Sequence, residues 1–173
     1  AGTTSVSATY GSAMPAITVP TRAGYTFGGY YTSTGGSGTQ YYTASGASAR
    51  TWNIANNTTL YAKWTANKYI VTLNLQSGTG GSTSVSATYD SAMPAMTVPT
   101  RSGYTFGGYY TGTNGSGTQY YTATGASART WNLTSNTTLY AKWTANTYTV
   151  TFDKQSGSGG SANVSATYDS RSE

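Results

Sequence analysis

Tyrosine is the side chain with which this 173-residue sequence could recognise a ligand, and it occurs 17 times. Many of the tyrosines stand in adjacent pairs within segments rich in glycine and threonine. A tyrosine ring offers apolar area and a hydroxyl group at a low entropy cost, which suits contact with sugar faces or proteins. The interpretation that we prefer is that most rings cover a thin sheet. The alternative is a ligand surface whose contacts are Tyr30, Tyr41, Tyr42, Tyr109, Tyr120 and Tyr121.

The residue types that carry most enzyme chemistry are scarce. The sequence has no histidine and no cysteine, so the usual hydrolytic triads and thiolate metal sites cannot be built. The acidic residues are Asp90, Asp153, Asp169 and Glu173, and they do not form a carboxylate pair that recurs in every repeat described below. A two-carboxylate glycosidase and a calcium site are therefore not expected. We predict that the chain is not an enzyme and has no catalytic residue, cofactor or metal.

The charge pattern argues against two classes of partner. The net charge is +5, but only 8% of the residues are charged and the basic ones are spread thinly along the chain. Nucleic-acid binding needs lysines and arginines that cluster on one face. No stretch approaches the roughly 18 apolar residues of a membrane-spanning helix. The sequence therefore predicts neither nucleic-acid binding nor insertion into a membrane.

The dominant feature of the sequence is an internal repeat with an offset of 79 residues. Residues 1–68 and 80–147 align without a gap and differ at 12 of 68 positions. We predict three parts. Residues 1–68 are a repeat that lacks its first strand, residues 69–147 are a complete repeat, and residues 148–173 are the opening strands of a third. Residues 171–173 depart from the repeat and are expected to be an appended or abrupt end.

Within the complete repeat, apolar residues recur with the period of two that is typical of strands with one buried face. Residues 69–75 and 85–89 predict a hairpin around a Gly-rich turn. Residues 104–110 predict a third strand with a bulge at Gly107 and Gly108, and residues 139–143 predict the closing strand. Pro94 and Pro99 leave room for only a short helical turn between the second and third strands.

These segments carry a recognisable pattern. Residues 148–152 read YTVTF, residues 99–110 read PTRSGYTFGGYY, and residues 136–143 read NTTLYAKW. In these motifs the sequence resembles the Listeria-Bacteroides repeat, also called the internalin B-repeat. The resemblance implies a β-rich α+β fold made of tandem small β-grasp-like (ubiquitin-like) modules with a degenerate helix. The sequence departs from the family pattern at Tyr109, which stands in place of the usual tryptophan.

The resemblance implies a function outside the cell. We expect a structural spacer or stalk of a bacterial secreted or cell-surface protein that presents other domains away from the cell. The alternative is an adhesive module that contacts host glycan or protein through exposed tyrosine-rich loops. The expected partners are neighbouring repeats of the same protein and, through head-to-tail strand exchange, other copies of the chain. A glycan or a host surface protein is the partner of the adhesive alternative.

Overall fold

A computed structural model describes residues 1–169 of the chain. The chain divides into two compact units. Unit 1 comprises residues 1–68 together with 88–90 and 132–134. Unit 2 comprises residues 69–87 and 91–131 and the described residues from 135 onward. The predicted end at residues 171–173 lies outside the described residues.

Unit 2 contains one sheet of five strands in the order β5-β4-β8-β6-β7. Strands β4 and β8 pair in parallel in its centre, and β6 pairs with both β8 and β7 in antiparallel fashion. The parallel pair joins the first and last strands of the repeat, which brings together segments about 65 residues apart in sequence. The strands are β4 (Lys68–Asn74), β5 (Ser84–Thr88), β6 (Tyr104–Tyr110), β7 (Gln119–Tyr121) and β8 (Thr137–Ala145).

The core of unit 2 includes the apolar face of the central strands of this sheet. Val71 and Leu73 of β4 and Leu139 and Ala141 of β8 are buried, as the alternation of their sequences predicts. Trp131, which follows β7 in an irregular segment, is fully buried. Side chains of this size contribute about 1.5–3 kcal/mol each to folding when they are withdrawn from water. Burial of this apolar face therefore holds together a sheet that has almost no helix beside it.

A bulge bends β6 where the paired glycines predict it. The register between β6 and β8 shifts between Phe106 and Tyr109. Gly108 has a φ of 107°, and a Cβ atom there would overlap the carbonyl oxygen of Tyr121. Because only glycine combines this backbone angle with so close an approach, the position requires glycine.

Unit 1 has a sheet of three strands, β1 (Tyr25–Tyr31), β2 (Gln40–Tyr42) and β3 (Tyr61–Ala66), in the order β2-β1-β3. These strands correspond to β6, β7 and the second half of β8. Met14, Tyr41, Tyr42 and Trp52 form its buried cluster. Residues 5–9, which correspond to β5, do not form a strand. The described part of unit 1 holds no counterpart of β4 with which they could pair.

The third repeat is represented by a hairpin of β9 (Thr147–Thr151) and β10 (Asn163–Thr167). It repeats the sequence pattern of β4 and β5, and it belongs to unit 2. Every residue of the two strands is exposed, including apolar side chains on both strands. A single hairpin is only marginally stable in water. Its contacts with the rest of unit 2 are therefore needed to keep it folded.

The β-rich prediction is confirmed, as are the hairpins, the bulge and the closing strand. The short helical turn that the sequence allowed near residues 92–96 does not form. Ala92 instead bridges to Thr130, and Thr100 exchanges two backbone hydrogen bonds with Thr79. Backbone groups that pair with distant segments are unavailable for the turns of a helix, and the two prolines remove donors from the same stretch.

Candidate functional site: buried tyrosines and the repeat junction

The tyrosine pairs proposed as ligand contacts lie in the core. Tyr109 and Tyr121 have no exposed area, Tyr120 is 1% exposed, and Tyr41 and Tyr42 are each 2% exposed. Tyr30 is half-buried. The expectation of exposed tyrosine loops is therefore wrong for five of the six residues. Ligand contact through these rings stays a prediction, and it would require the rings to leave the core.

Both rings of a pair are buried because the strand that carries them is covered on both faces. The Tyr121 hydroxyl donates a hydrogen bond to the Pro94 carbonyl oxygen at 2.8 Å, and its ring packs edge-on against Tyr109. On the other side, the Tyr120 ring centroid lies 4.9 Å from that of Trp131. The two covering segments, which contain Pro94 and Trp131, are irregular. The alternation of apolar residues that reveals a strand in the sequence therefore does not reveal them.

Burial changes the acid–base behaviour of two of these side chains. Desolvation raises the pKa of Tyr109 to about 12. Desolvation and the neighbouring Tyr109 raise the pKa of Tyr121 to about 12. Among the described residues, the Tyr109 hydroxyl has no hydrogen-bond partner. These hydroxyls therefore stay protonated well above neutral pH.

A second set of tyrosines forms a contact surface that we call the repeat junction. In unit 2 it joins the β9–β10 hairpin to the start of β6. The Tyr168 ring lies edge-on to the Tyr104 ring, with centroids 5.5 Å apart. Tyr168 also covers Gly103, where a Cβ atom would overlap its ring. The Tyr104 hydroxyl donates a hydrogen bond of 2.8 Å to the Asp169 carboxylate.

Asn146, between β8 and β9, connects the two sides of the junction. Its backbone nitrogen donates to the Gly103 oxygen at 2.9 Å, and its own oxygen accepts from the Tyr168 nitrogen at 2.8 Å. Its side-chain oxygen accepts from the Thr105 hydroxyl at 2.6 Å. A single residue therefore binds both the hairpin and the strand on which it docks, which leaves few free dihedral angles at this point.

Electrostatics reinforce the aromatic contact. The Arg101 guanidinium lies 3.8 Å from the centroid of the Tyr104 ring, within the range of a cation–π interaction. The hydrogen bond to Asp169 is the main cause that raises the pKa of Tyr104, followed by desolvation. The aspartate thus favours the protonated hydroxyl that donates to it.

Unit 1 contains the same arrangement one repeat earlier. The Tyr89 ring covers Gly24 and lies 5.5 Å from the Tyr25 ring. The Tyr25 hydroxyl donates to Asp90 at 3.1 Å. Asn67 makes the hydrogen bonds that Asn146 makes in unit 2, with the same lengths. Because the two copies share these contacts, the junction is a property of the repeat and not of one copy.

The junction was not predicted from the sequence, where Asp90 was considered only as a possible member of a carboxylate pair. The available signal was the recurrence of the Tyr-Asp pair at residues 89–90 and 168–169. The first repeat has Gly11 at the corresponding position, and Tyr10 beside it is 67% exposed.

Replacing Tyr168 by alanine is expected to release the hairpin from unit 2. The change removes a ring–ring contact and uncovers Gly103, so amide protection of β9 and β10 should fall by roughly tenfold or more. Hydrogen exchange measured residue by residue tests this. Tyr10→Ala is the matched control, because Tyr10 has the same position in its repeat but no junction. Unchanged protection in Tyr168→Ala would show that the junction does not hold the hairpin.

Within the described residues 1–169, no three acidic side chains come together as a group that could hold a metal ion. The same range contains no helix with the length and apolar character needed to span a membrane.

Comparison with known proteins places these features in context. Residues 1–63 and 69–142 match the model of the Listeria-Bacteroides repeat domain. Internalin H of Listeria monocytogenes is 36% identical over 129 residues, which are 75% of this chain and 21% of that protein. A protein of Evansella cellulosilytica, named as a Gly-rich membrane protein, is 36% identical over 142 residues, covering 79% of this chain and 16% of that protein. The chain thus spans about a fifth of the length of these relatives. No solved structure matches the chain significantly.

Proposed function

The chain belongs to the Listeria-Bacteroides repeat domain family, and from this premise we propose that it is part of a stalk in a bacterial secreted or cell-surface protein. Such a stalk presents other domains away from the cell, and its repeats act as equal spacers without catalysis. The relatives support this location, since they include an internalin and a protein named as a membrane protein.

The strand order supports a β-grasp module as the unit of the stalk. In the β-grasp fold the first and last strands pair in parallel at the centre, the second strand flanks the first, and the third and fourth flank the last. Unit 2 has this order in β5-β4-β8-β6-β7, with β4 and β8 parallel. Residues 89–103, where a β-grasp helix would lie, contain no helix. We propose a β-grasp module in which an irregular segment replaces the helix.

The observation that carries the proposal is the repeat junction. Successive repeats in a flexible string need only a linker, whereas the junction adds three hydrogen bonds through Asn146 and a ring contact through Tyr168. A joint of this kind suits a stalk because it resists bending. The near-identity of the repeats also fits a spacer, in which no copy needs a unique surface.

Arrays of two, four and eight copies of residues 69–147 test the proposal. In small-angle scattering, the maximum dimension should grow nearly linearly, by about 30 Å for each compact repeat of this length. Doubling the copy number should therefore nearly double the dimension. A flexible string would lengthen only about 1.4-fold on doubling, because its span grows with the square root of length.

A variant array separates the junction from other causes of stiffness. Tyr89→Ala in every copy should move the scaling toward the square-root dependence. Ile70→Ser in every copy is the control, because Ile70 is 53% exposed and makes no junction contact. Square-root scaling of the unmodified array would refute the stalk, and linear scaling of the Tyr89→Ala array would refute the role of the junction.

A further inference from the structure

The repeat junction holds two tyrosine rings from successive repeats in contact at a place that solvent reaches. In unit 2 the pair is Tyr104 and Tyr168, and in unit 1 it is Tyr25 and Tyr89, each with ring centroids 5.5 Å apart. Tyr89 and Tyr104 belong to the complete repeat, and both are half-buried there. A small oxidant in solution can therefore reach a ring whose neighbour is already within edge-to-face contact distance.

Each pair also has a carboxylate that can take the proton from one of its hydroxyls. The Tyr104 hydroxyl donates to Asp169 at 2.8 Å, and the Tyr25 hydroxyl donates to Asp90 at 3.1 Å. A phenol loses an electron more readily when a base accepts its proton in the same step, because no protonated radical cation has to form. A hydrogen-bonded carboxylate is a base positioned for this transfer. Oxidation of one tyrosine in each pair is therefore assisted by a group already in place.

A tyrosine pair in the core shows the contrast. The centroids of the Tyr109 and Tyr121 rings are 6.1 Å apart, but neither ring has exposed area. Within the part of the chain that the structure describes, the Tyr109 hydroxyl has no hydrogen-bond partner, and the Tyr121 hydroxyl donates to a backbone carbonyl oxygen, which is a weak base. The sequence also has no cysteine, whose thiol would give its hydrogen atom to a tyrosyl radical. Tyrosine oxidation should therefore concentrate at the junction.

We propose that the repeat junction is the site of an oxidative dityrosine crosslink between successive repeats, formed by hydrogen peroxide with a peroxidase. Each tyrosine of the pair gives up the hydrogen atom of its hydroxyl, as one electron and one proton. The two radicals couple through ring carbons next to the hydroxyl-bearing carbons, and the hydrogen on each coupled carbon moves to its phenol oxygen. The peroxide takes up the two electrons and two protons and becomes two water molecules.

Proximity favours coupling inside the junction over coupling between molecules, because the contact turns a bimolecular step into a unimolecular one. In unit 2 the bond joins the first residue of β6 to the residue that follows β10. It thereby closes the junction covalently. The crosslink requires only the junction contacts, so its test is independent of the stalk proposal.

Treatment of the full chain with peroxidase and hydrogen peroxide, at low protein concentration, tests the proposal. Peptide mapping by mass spectrometry should find Tyr104 linked to Tyr168 and Tyr25 linked to Tyr89, each with the loss of two hydrogen atoms. Tyr104→Phe keeps the ring but removes the hydroxyl, so it should abolish the first link and leave the second. Tyr140→Phe is the control and should form both links, because Tyr140 is half-buried like Tyr104 but lies at the other end of the β6–β8 ladder. Oxidised chains without the two links, or with links spread over other tyrosines, overturn the proposal.

Aspartate variants test the proton acceptor. Asp169→Asn keeps the size of the side chain but removes the base, so the link in unit 2 should form at least several-fold more slowly, while the link in unit 1 of the same molecule keeps its rate. Asp90→Asn should reverse this pattern. Asp169→Glu restores a carboxylate and should recover the rate in unit 2. Unchanged rates of both links in both asparagine variants would show that the aspartates do not assist the oxidation.

Discussion

Gly108→Ala is expected to lower the free energy of unfolding of unit 2 by about 3–5 kcal/mol, enough to unfold a marginally stable module. Two effects combine at this position. The φ of 107° lies in a region that alanine rarely adopts, and the new Cβ atom would overlap the backbone oxygen of Tyr121. Neither can relax without breaking the bulge that lets β6 pair with both β7 and β8.

Gly107→Ala is the matched control for this prediction. A Cβ atom there would lie 3.1 Å from Cδ of Lys142, a flexible side chain that can move aside. We expect a change below about 1 kcal/mol, comparable to ordinary glycine substitutions. Urea denaturation of the two variants measures the difference through the transition midpoint. Equal midpoints would mean that the bulge geometry does not limit stability.

Alkaline titration is expected to destabilise unit 2 between about pH 10 and pH 12. In the unfolded chain, tyrosine ionises near pH 10, whereas burial raises the pKa of Tyr109 and of Tyr121 to about 12 in the folded state. The unfolded state therefore releases protons first, so stability is constant below pH 10 and falls as the pH rises. The loss amounts to roughly 2–3 kcal/mol for each hydroxyl, as an upper value.

Two phenylalanine variants show how much each tyrosine contributes to the loss of stability at alkaline pH. Tyr109→Phe removes a buried hydroxyl without a partner among the described residues, so stability at neutral pH should be kept or slightly raised, and the alkaline loss reduced. Tyr121→Phe removes the hydrogen bond to Pro94, so it should cost about 1 kcal/mol at neutral pH while also reducing the alkaline loss. Thermal melts at neutral and alkaline pH measure both. A parent that melts equally at both pH values would contradict the assignment.

Most strands of the complete repeat could be predicted because their signal is local. The alternation in residues 69–75 and 139–143 follows directly from one buried face, and β4 and β8 bury their apolar residues as expected. The bulge was also predictable, since adjacent glycines inside a strand pattern have few other uses. The parallel pairing of β4 with β8 has no local signal, because it depends on how the chain returns after some 65 residues.

The tyrosine clusters show why the candidate site was harder to predict. Adjacent residues in a strand point to opposite faces, so a Tyr-Tyr pair in a one-sided sheet should expose one ring. Strand β7 is covered on both sides, by the segment that contains Pro94 and by the segment that contains Trp131. Irregular covering segments leave no periodic trace in sequence. The junction was missed for a related reason, since its Tyr104–Asp169 contact joins residues in successive repeats.

The parallel pairing of β4 with β8 also decides how a repeat bears load. The polypeptide enters the repeat at the start of β4 and leaves it at the end of β8. A tensile force along the chain therefore pulls these two neighbouring strands in opposite directions along their length. The hydrogen bonds between residues 71–74 and 137–140 are then strained together in shear, and they do not open one after another like a zipper. In the stalk that we propose, this arrangement strengthens each repeat against tension along the chain.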